Sequence, residues 1–370
     1  DKTVYLTHQI DVSIGDTVRQ VISSDVPALV GEKLNKKYAI TDRMTKGLTF
    51  TQIDRVSVGT GTWNDDSNHT LTEGADYTLT VADDRKSFTV DLTAQGLAYL
   101  DTAGTASYLY VEFDSVLNKD ALIGTDTYKY TTSDGGSVDA TNQNTAMLTY
   151  ATDRTGEHDY FSNTCRVYTY ELDITKMIPN MKPGTDYSGV SFSMTGSMAN
   201  SQTEDVQFVK DGDGEYHIYD PVTEAGQTPV TVVSCSADGK LVIRGVDARD
   251  YVITELSTVA GKQLLAEPMT VRLEGHKQVD GYDRYFENGV LDHAYAWTGD
   301  EPLKLKKYDI AASAKAQLDK GRAPFLITNE SFSILRTGGN GNSVAVNVGI
   351  AALTALGVCI ALKRKNEKNS

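Results

Sequence analysis

Positive charge is what this sequence most obviously lacks: 35 Lys and Arg stand against 50 Asp and Glu, a formal net charge of −15. Nucleic-acid binding, which relies on basic patches that neutralise phosphates, is excluded as the main task. Proline is scarce, at 8 residues, so the chain is not a Pro-rich stalk of low complexity. The six His are scattered at His8, His69, His158, His217, His276 and His293 with no paired metal spacing. There is no Gly-rich phosphate loop and no Gly-x-Ser-x-Gly elbow. The "DGDGE" run at Asp211–Glu215 lacks the full ligand set of a calcium loop and reads as a hairpin turn. No metal or cofactor is expected, and no nucleophile–base set points to a turnover enzyme. Of the three Cys, Cys359 lies in an apolar run. Cys165 and Cys235 can form one bridge or remain two buried thiols, and spacing does not decide between them.

What is present is strand chemistry. Tyr (20) far outnumbers Trp (2), and Thr, Val and Ser are abundant. "ADYTLTV", "SFTVDL", "SYLYVEF" and "TAMLTYA" are short runs rich in β-formers, several with period-two alternation. One short helix is expected at "TAQGLAYLD", capped by Thr93. A second series of strands begins at "CRVYTYELDITKM" and continues through "YSGVSFSMTG", "KLVIRGV", "RDYVITELS" and "MTVRLEG", with hairpin signals at "KDGDGE" and "ADGK". From Gly275 to Leu318 the pattern is irregular, with one helical excursion at "DIAASAKAQLDKG". Short strands at this spacing predict an all-β chain of two immunoglobulin-like β-sandwich modules in tandem, residues 1–160 and 165–333, with a boundary in the polar stretch at 159–164.

The tail is different. Val344–Leu362 carries no charge, and as a helix it would span roughly 28 Å, about one bilayer core. Lys363, Arg364, Lys365 and Lys368 follow directly, which predicts a transmembrane helix over 344–362 with its basic tail in the cytoplasm. A buried core helix is the alternative. The membrane reading puts everything upstream outside the cell. No signal peptide is visible at Asp1, so the chain is read as a fragment or processed form of an exported protein.

Ahead of the apolar run stands Ile334-Leu335-Arg336-Thr337-Gly338, so residues 334–370 run motif, span, basic tail. That order resembles the cell-wall sorting signal of Gram-positive surface proteins. The resemblance implies that a sortase cuts between Thr337 and Gly338 and joins the new carboxyl to an amine on peptidoglycan or a neighbouring subunit. Leu335 stands where that family has Pro, and Ile334 where it has Leu. The phrases "SIGDTV", "YAITDRMTKGLTF", "VEFDSVLNKDALIG" and "NTAMLTY" resemble the middle domain of Gram-positive fimbrial shaft proteins. "VYTYELDITK", "ADGKLVIRGVDARDYVITE" and "APFLITN" resemble their C-terminal collagen-adhesin B-type module. The implied protein is a structural pilus subunit of the cell wall, membrane-anchored before processing. Its implied partners are sortase and other pilin subunits or peptidoglycan. A wall-anchored adhesin, with the irregular 275–318 stretch binding a host ligand, is the alternative.

In that family a Lys on the first strand of each module is joined to an Asn on the last, driven by an acid on a middle strand. An ammonium has no lone pair, so it must first be deprotonated; burial favours the neutral amine. Burial likewise favours a protonated carboxyl, which can polarise the Asn carbonyl. By resemblance the second module uses Lys176, Glu255 and Asn329, and the first uses Lys2, Asp42 and Asn144. Asn142 is the alternative to Asn144, whereas Lys36 and Lys37 sit too near the acid's own strand. The periodicity adds one independent sign. Lys176 shares a strand face with Leu172 and Ile174, and Glu255 shares one with Tyr251 and Ile253.

Overall fold

The computed structural model describes residues 8–26, 32–34, 36–103, 107–131, 136–162, 164–197, 203–277, 287–298 and 316–329. Lys2, the Thr337–Gly338 pair and the 344–362 run lie outside the described residues. Among those described, no helix is long and apolar enough to cross a membrane.

Nearly every element is a strand, as the β-branched and aromatic runs require. In the first half one sheet is ordered Gln9–Asp11, Cys165–Tyr168, Asn142–Ala151, Lys37–Met44, Ser87–Leu92 and Tyr77–Val81. It faces a second sheet of Thr17–Asp25, Tyr108–Leu117, Leu48–Gly59 and His69–Thr70. Alternation decides which side chains meet between them: Ser87–Leu92 buries Phe88, Val90 and Leu92 and leaves the intervening residues half-exposed. Phe88 packs on Phe50 with ring centroids 4.6 Å apart and on Phe113 at 4.9 Å, forming the centre of this core. The expected helix is present at Ala94–Ala103, and the Thr93 hydroxyl accepts from Gly96 N–H at 3.4 Å, an N-cap contact.

The second half repeats the plan. Phe208–Gly212, Glu215–Ile218, Lys240–Val246, Tyr170–Met177 and Arg322–Thr328 form one sheet. Thr203–Asp205, Ser191–Ser197, Asp250–Ser257, Met269–Lys277 and Glu287–Thr298 form the other. Leu172, Ile174, Phe192, Ile253 and Val271 fill the space between them.

Three features differ from the sequence reading. The "KDGDGE" run is a hairpin, with Phe208 paired to Ile218, but "ADGK" is not. Val232–Ser234 before it pairs with Ser191–Ser193, whereas Lys240–Val246 after it pairs with Tyr170–Thr175. The turn therefore carries the chain from one sheet to the other, which local composition cannot distinguish from a hairpin. The stretch read as irregular contains a long strand, Glu287–Thr298, whose Leu291 and Ala294 are buried in the core. Its ladder with Met269–Lys277 has two register shifts, which blur the period-two pattern. Of the expected helical excursion, the described part is a single turn at Ala316–Leu318.

The hand-over between halves falls at Thr169. Cys165–Tyr168 pairs with Asn142–Asn144 of the first half, and Tyr170–Met177 belongs to the second. The contact around it is tight. Gly124 N–H donates to Thr169 O at 2.8 Å, Ile14 N–H to Gly245 O at 2.9 Å, and Arg322 pairs with Asp126 at 2.6 Å.

Candidate cross-linking sites

In the second half, the three residues singled out by sequence come together. Tyr170–Met177 runs parallel to Arg322–Thr328, with Lys176 opposite Ile327. Asn329 lies two residues beyond Ile327, on the same inward face, and is buried. Asp250–Ser257 belongs to the facing sheet and points Tyr251, Ile253 and Glu255 inward. Two adjacent strands of one sheet thus supply the amine and the amide, and the facing sheet supplies the acid.

Lys176 Nζ lies 2.8 Å from Glu255 Oε1, and both side chains are 0% exposed. The same Nζ donates to Asn329 Oδ1, the shortest contact of the group. Asn329 Nδ2 donates to the Gln263 carbonyl and lies 3.4 Å from Glu255 Oε2 and 3.5 Å from Thr258 Oγ1. Leu265 N–H donates to Glu255 Oε2 at 2.6 Å. The Phe192 ring walls the site, its centroid 5.8 Å from Nζ. Burial drives the Lys176 pKa below the ordinary lysine value, against the opposing pull of Glu255. The apolar surroundings also push the Cys235 thiol up to about 12. Cys165 and Cys235 are both free thiols.

In the first half, Asp42 and Asn144 sit on neighbouring strands of one sheet, Asp42 opposite Ala146 and Asn144 opposite Met44. Asn144 Nδ2 donates to Asp42 Oδ2 at 2.9 Å. Asp42 is 0% exposed, and burial raises its pKa to about 7, with the Asn144 hydrogen bond working the other way. Asp42 Oδ1 and Asn144 Oδ1 are buried and accept no hydrogen bond among the described residues. In the second half the acid and amide oxygens beside the Lys176 amine are Glu255 Oε1 and Asn329 Oδ1.

The structure separates Asn144 from Asn142. Asn142 Oδ1 accepts from Leu122 N–H at 2.7 Å, and its Nδ2 donates to Leu122 O and Val167 O at 2.8 and 3.1 Å. Both ends of that amide are committed to main chain. Lys37 is at the surface, 3.4 Å from Glu157, and Lys36 is exposed, so neither points to Asp42.

The sequence reading missed the Thr258–Leu265 connection, whose main-chain groups carry no residue-type signal. It also missed His217, buried with Nδ1 2.8 Å from Asp211 and Nε2 3.0 Å from Glu224. No cluster of the described residues could hold a metal ion.

No protein-family model and no curated protein matches the chain. Solved structures do. The 35 kDa C-terminal fragment of the major pilin GBS80 of Streptococcus agalactiae matches with a TM-score of 0.52 at 14% identity, over 87% of this chain and 96% of that one. Domains D2 and D3 of the major pilin SpaD from Corynebacterium diphtheriae match at 17% identity and a TM-score of 0.46, over 86% and 95% of the two chains. The group B streptococcus pilus 2b backbone protein matches at 20% identity and a TM-score of 0.45, over 75% and 93%. At these identities the likeness bears on the fold: this chain shares the overall fold of the GBS80 major pilin fragment.

Proposed function

We propose that this chain is a structural subunit of a Gram-positive pilus, stiffened by internal Lys–Asn isopeptide bonds and joined to its neighbours by sortase. The observation that carries the reading is the buried contact of Lys176 with both Glu255 and Asn329. A buried ion pair contributes little net stability compared with an apolar replacement. A chemical use accounts for it better. Glu255 takes a proton from the Lys176 ammonium, and the neutral amine attacks the Asn329 side-chain carbonyl carbon. Glu255 passes that proton to Nδ2, the Cγ–Nδ2 bond breaks, and ammonia leaves, carrying off as ammonium the second proton that the new amide nitrogen sheds. Folding supplies proximity worth about 7–11 kcal/mol of barrier. The event happens once per molecule, so the protein is not a turnover enzyme.

In the first module the same reaction joins Lys2 to Asn144 under Asp42. The two oxygens with no hydrogen-bond partner among the described residues favour it, since they leave acceptors for an amine, and the raised Asp42 pKa makes its carboxylate a stronger base toward a lysine ammonium. Sortase cleavage between Thr337 and Gly338, with the 344–362 helix holding the precursor in the membrane, follows from the tail. The adhesin reading receives less support: the described part of the 275–318 stretch packs Leu291, Ala294 and Leu318 into the core.

The test is the intact mass of the folded chain. Each bond removes one ammonia, about 17 Da. Two losses are expected, with Lys176–Asn329 and Lys2–Asn144 recovered as cross-linked peptides after digestion. Glu255→Ala is expected to lose only the first of these pairs, and Asp42→Ala only the second. A folded chain at its full composition mass would defeat the mechanism.

A further inference from the structure

The second-module site has a side that the Lys, Asn and acid do not explain. The connection between Asp250–Ser257 and Met269–Lys277 closes over it and belongs to no sheet. It turns at Gly261, whose φ is +76°, and Lys262 N–H donates to Val259 O at 3.0 Å. Val259 and Leu265 pack against the core, while Leu264 points outward at 46% exposure. The loop is therefore pinned by two apolar side chains and offers its main chain to the site.

We propose that this loop is a clamp on the leaving nitrogen: the Gln263 carbonyl and the Leu265 N–H fix the orientation of Asn329 and Glu255, so that ammonia departs on the loop side. The proposal rests on the cross-linking reading. The chemistry of the donors carries it. A carbonyl can only accept, so Gln263 O selects the NH2 end of Asn329; a lysine ammonium can only donate, so Nζ selects Oδ1. The reversed amide would set oxygen against oxygen and NH2 against ammonium. Leu265 N–H holds Glu255 Oε2 at 2.6 Å, leaving Oε1 to face Nζ at 2.8 Å and Oε2 within 3.4 Å of Nδ2. One carboxyl oxygen is thereby assigned to the attacking nitrogen and the other to the leaving one.

The reaction balances. The N–Cγ bond to Lys176 forms as the Nδ2–Cγ bond breaks. Lys176 gives up two protons in all: Oε1 takes them as Oε2 delivers two to the departing nitrogen, which leaves as ammonium, and Glu255 ends as it began. Gln263 and Leu265 are positioning residues, acting through Asn329 Nδ2 and Glu255 Oε2.

The test is the rate at which the mass loss at Lys176–Asn329 appears when chain that has been kept unfolded since synthesis, and so has not yet reacted, is diluted from denaturant. Leu265→Pro deletes the N–H and is expected to slow bond formation about tenfold or more, the effect of losing one hydrogen bond to a carboxylate. Leu264→Ala, on the outward side of the same loop, is expected to react within about twofold of the unmodified chain. Equal rates for the Pro and unmodified chains overturn the clamp. A second measurement needs no loop variant: the Leu265 amide should exchange its hydrogen far more slowly than that of Leu264, and an unprotected Leu265 amide also overturns the clamp. Failure of the unmodified chain to lose mass at Lys176–Asn329 would instead overturn the cross-linking reading.

Discussion

A charged side chain with no exposure needs a reason, and Lys176, Glu255 and Asp42 each have one in the proposed chemistry. Asp42 yields a pH prediction. Its folded pKa near 7 lies above the ordinary aspartate value of 3.8, so between these limits the folded chain holds a proton that the unfolded chain has lost. Its stabilising contribution is complete below about pH 4 and disappears as pH rises through 7, a change on the order of 4 kcal/mol. In chain that has not cross-linked at Asn144, the denaturant midpoint should fall over this interval, and Asp42→Asn should flatten the fall. A midpoint that rises with pH there and is insensitive to Asp42→Asn would contradict the assignment. Lys176 was legible in the sequence because alternation set it on the Leu172–Ile174 face. Asn144 was not separable from Asn142, because both occupy inward beats of one strand. Only the Leu122 main chain, brought alongside by tertiary folding, claims Asn142.

Among the elements, most strands were legible from Val, Thr, Tyr and Phe runs with period two. Elements that break the period were not. Glu287–Thr298 was hidden by its shifted register, and the "ADGK" turn was misread because a turn does not announce which sheet the next strand joins. The joint between the halves depends on glycine at positions that sequence inspection passes over. Gly124 has φ +51°, and a Cβ there would lie 2.2 Å from Lys320 O. Gly124→Ala therefore forces both an unfavourable backbone region and a main-chain collision, at a cost of roughly 2–4 kcal/mol in the unfolding free energy obtained from denaturant titration. Gly184→Ala, also at positive φ but with open space around it, should cost less, about 1–2 kcal/mol. Equal effects would mean that the joint is not tightly packed.

At the scale of the whole molecule, the proposed bond ties residues 153 apart in sequence. By the chain-entropy estimate used for covalent cross-links, closing a loop of that length stabilises the folded state by about 5 kcal/mol. Reacted chain and unreacted Glu255→Gln chain should therefore differ widely in thermal midpoint, and no difference would mean that the bond does not form. Such a bond runs between parallel neighbours, Tyr170–Met177 and Arg322–Thr328, so tension along the chain would meet a covalent link before the sheet could open. The sequence by itself determined the strand-rich class, the acidic exterior, the apolar terminal run and the inward beat of Lys176 and Glu255. These follow from composition and from a period of two, both local. Tertiary structure alone decided which asparagine meets Asp42, where one sheet hands over to the next, and how the Thr258–Ala266 loop seals the second site. Those outcomes depend on contacts between residues far apart in the chain, and the main-chain groups that make many of them are the same for every residue type.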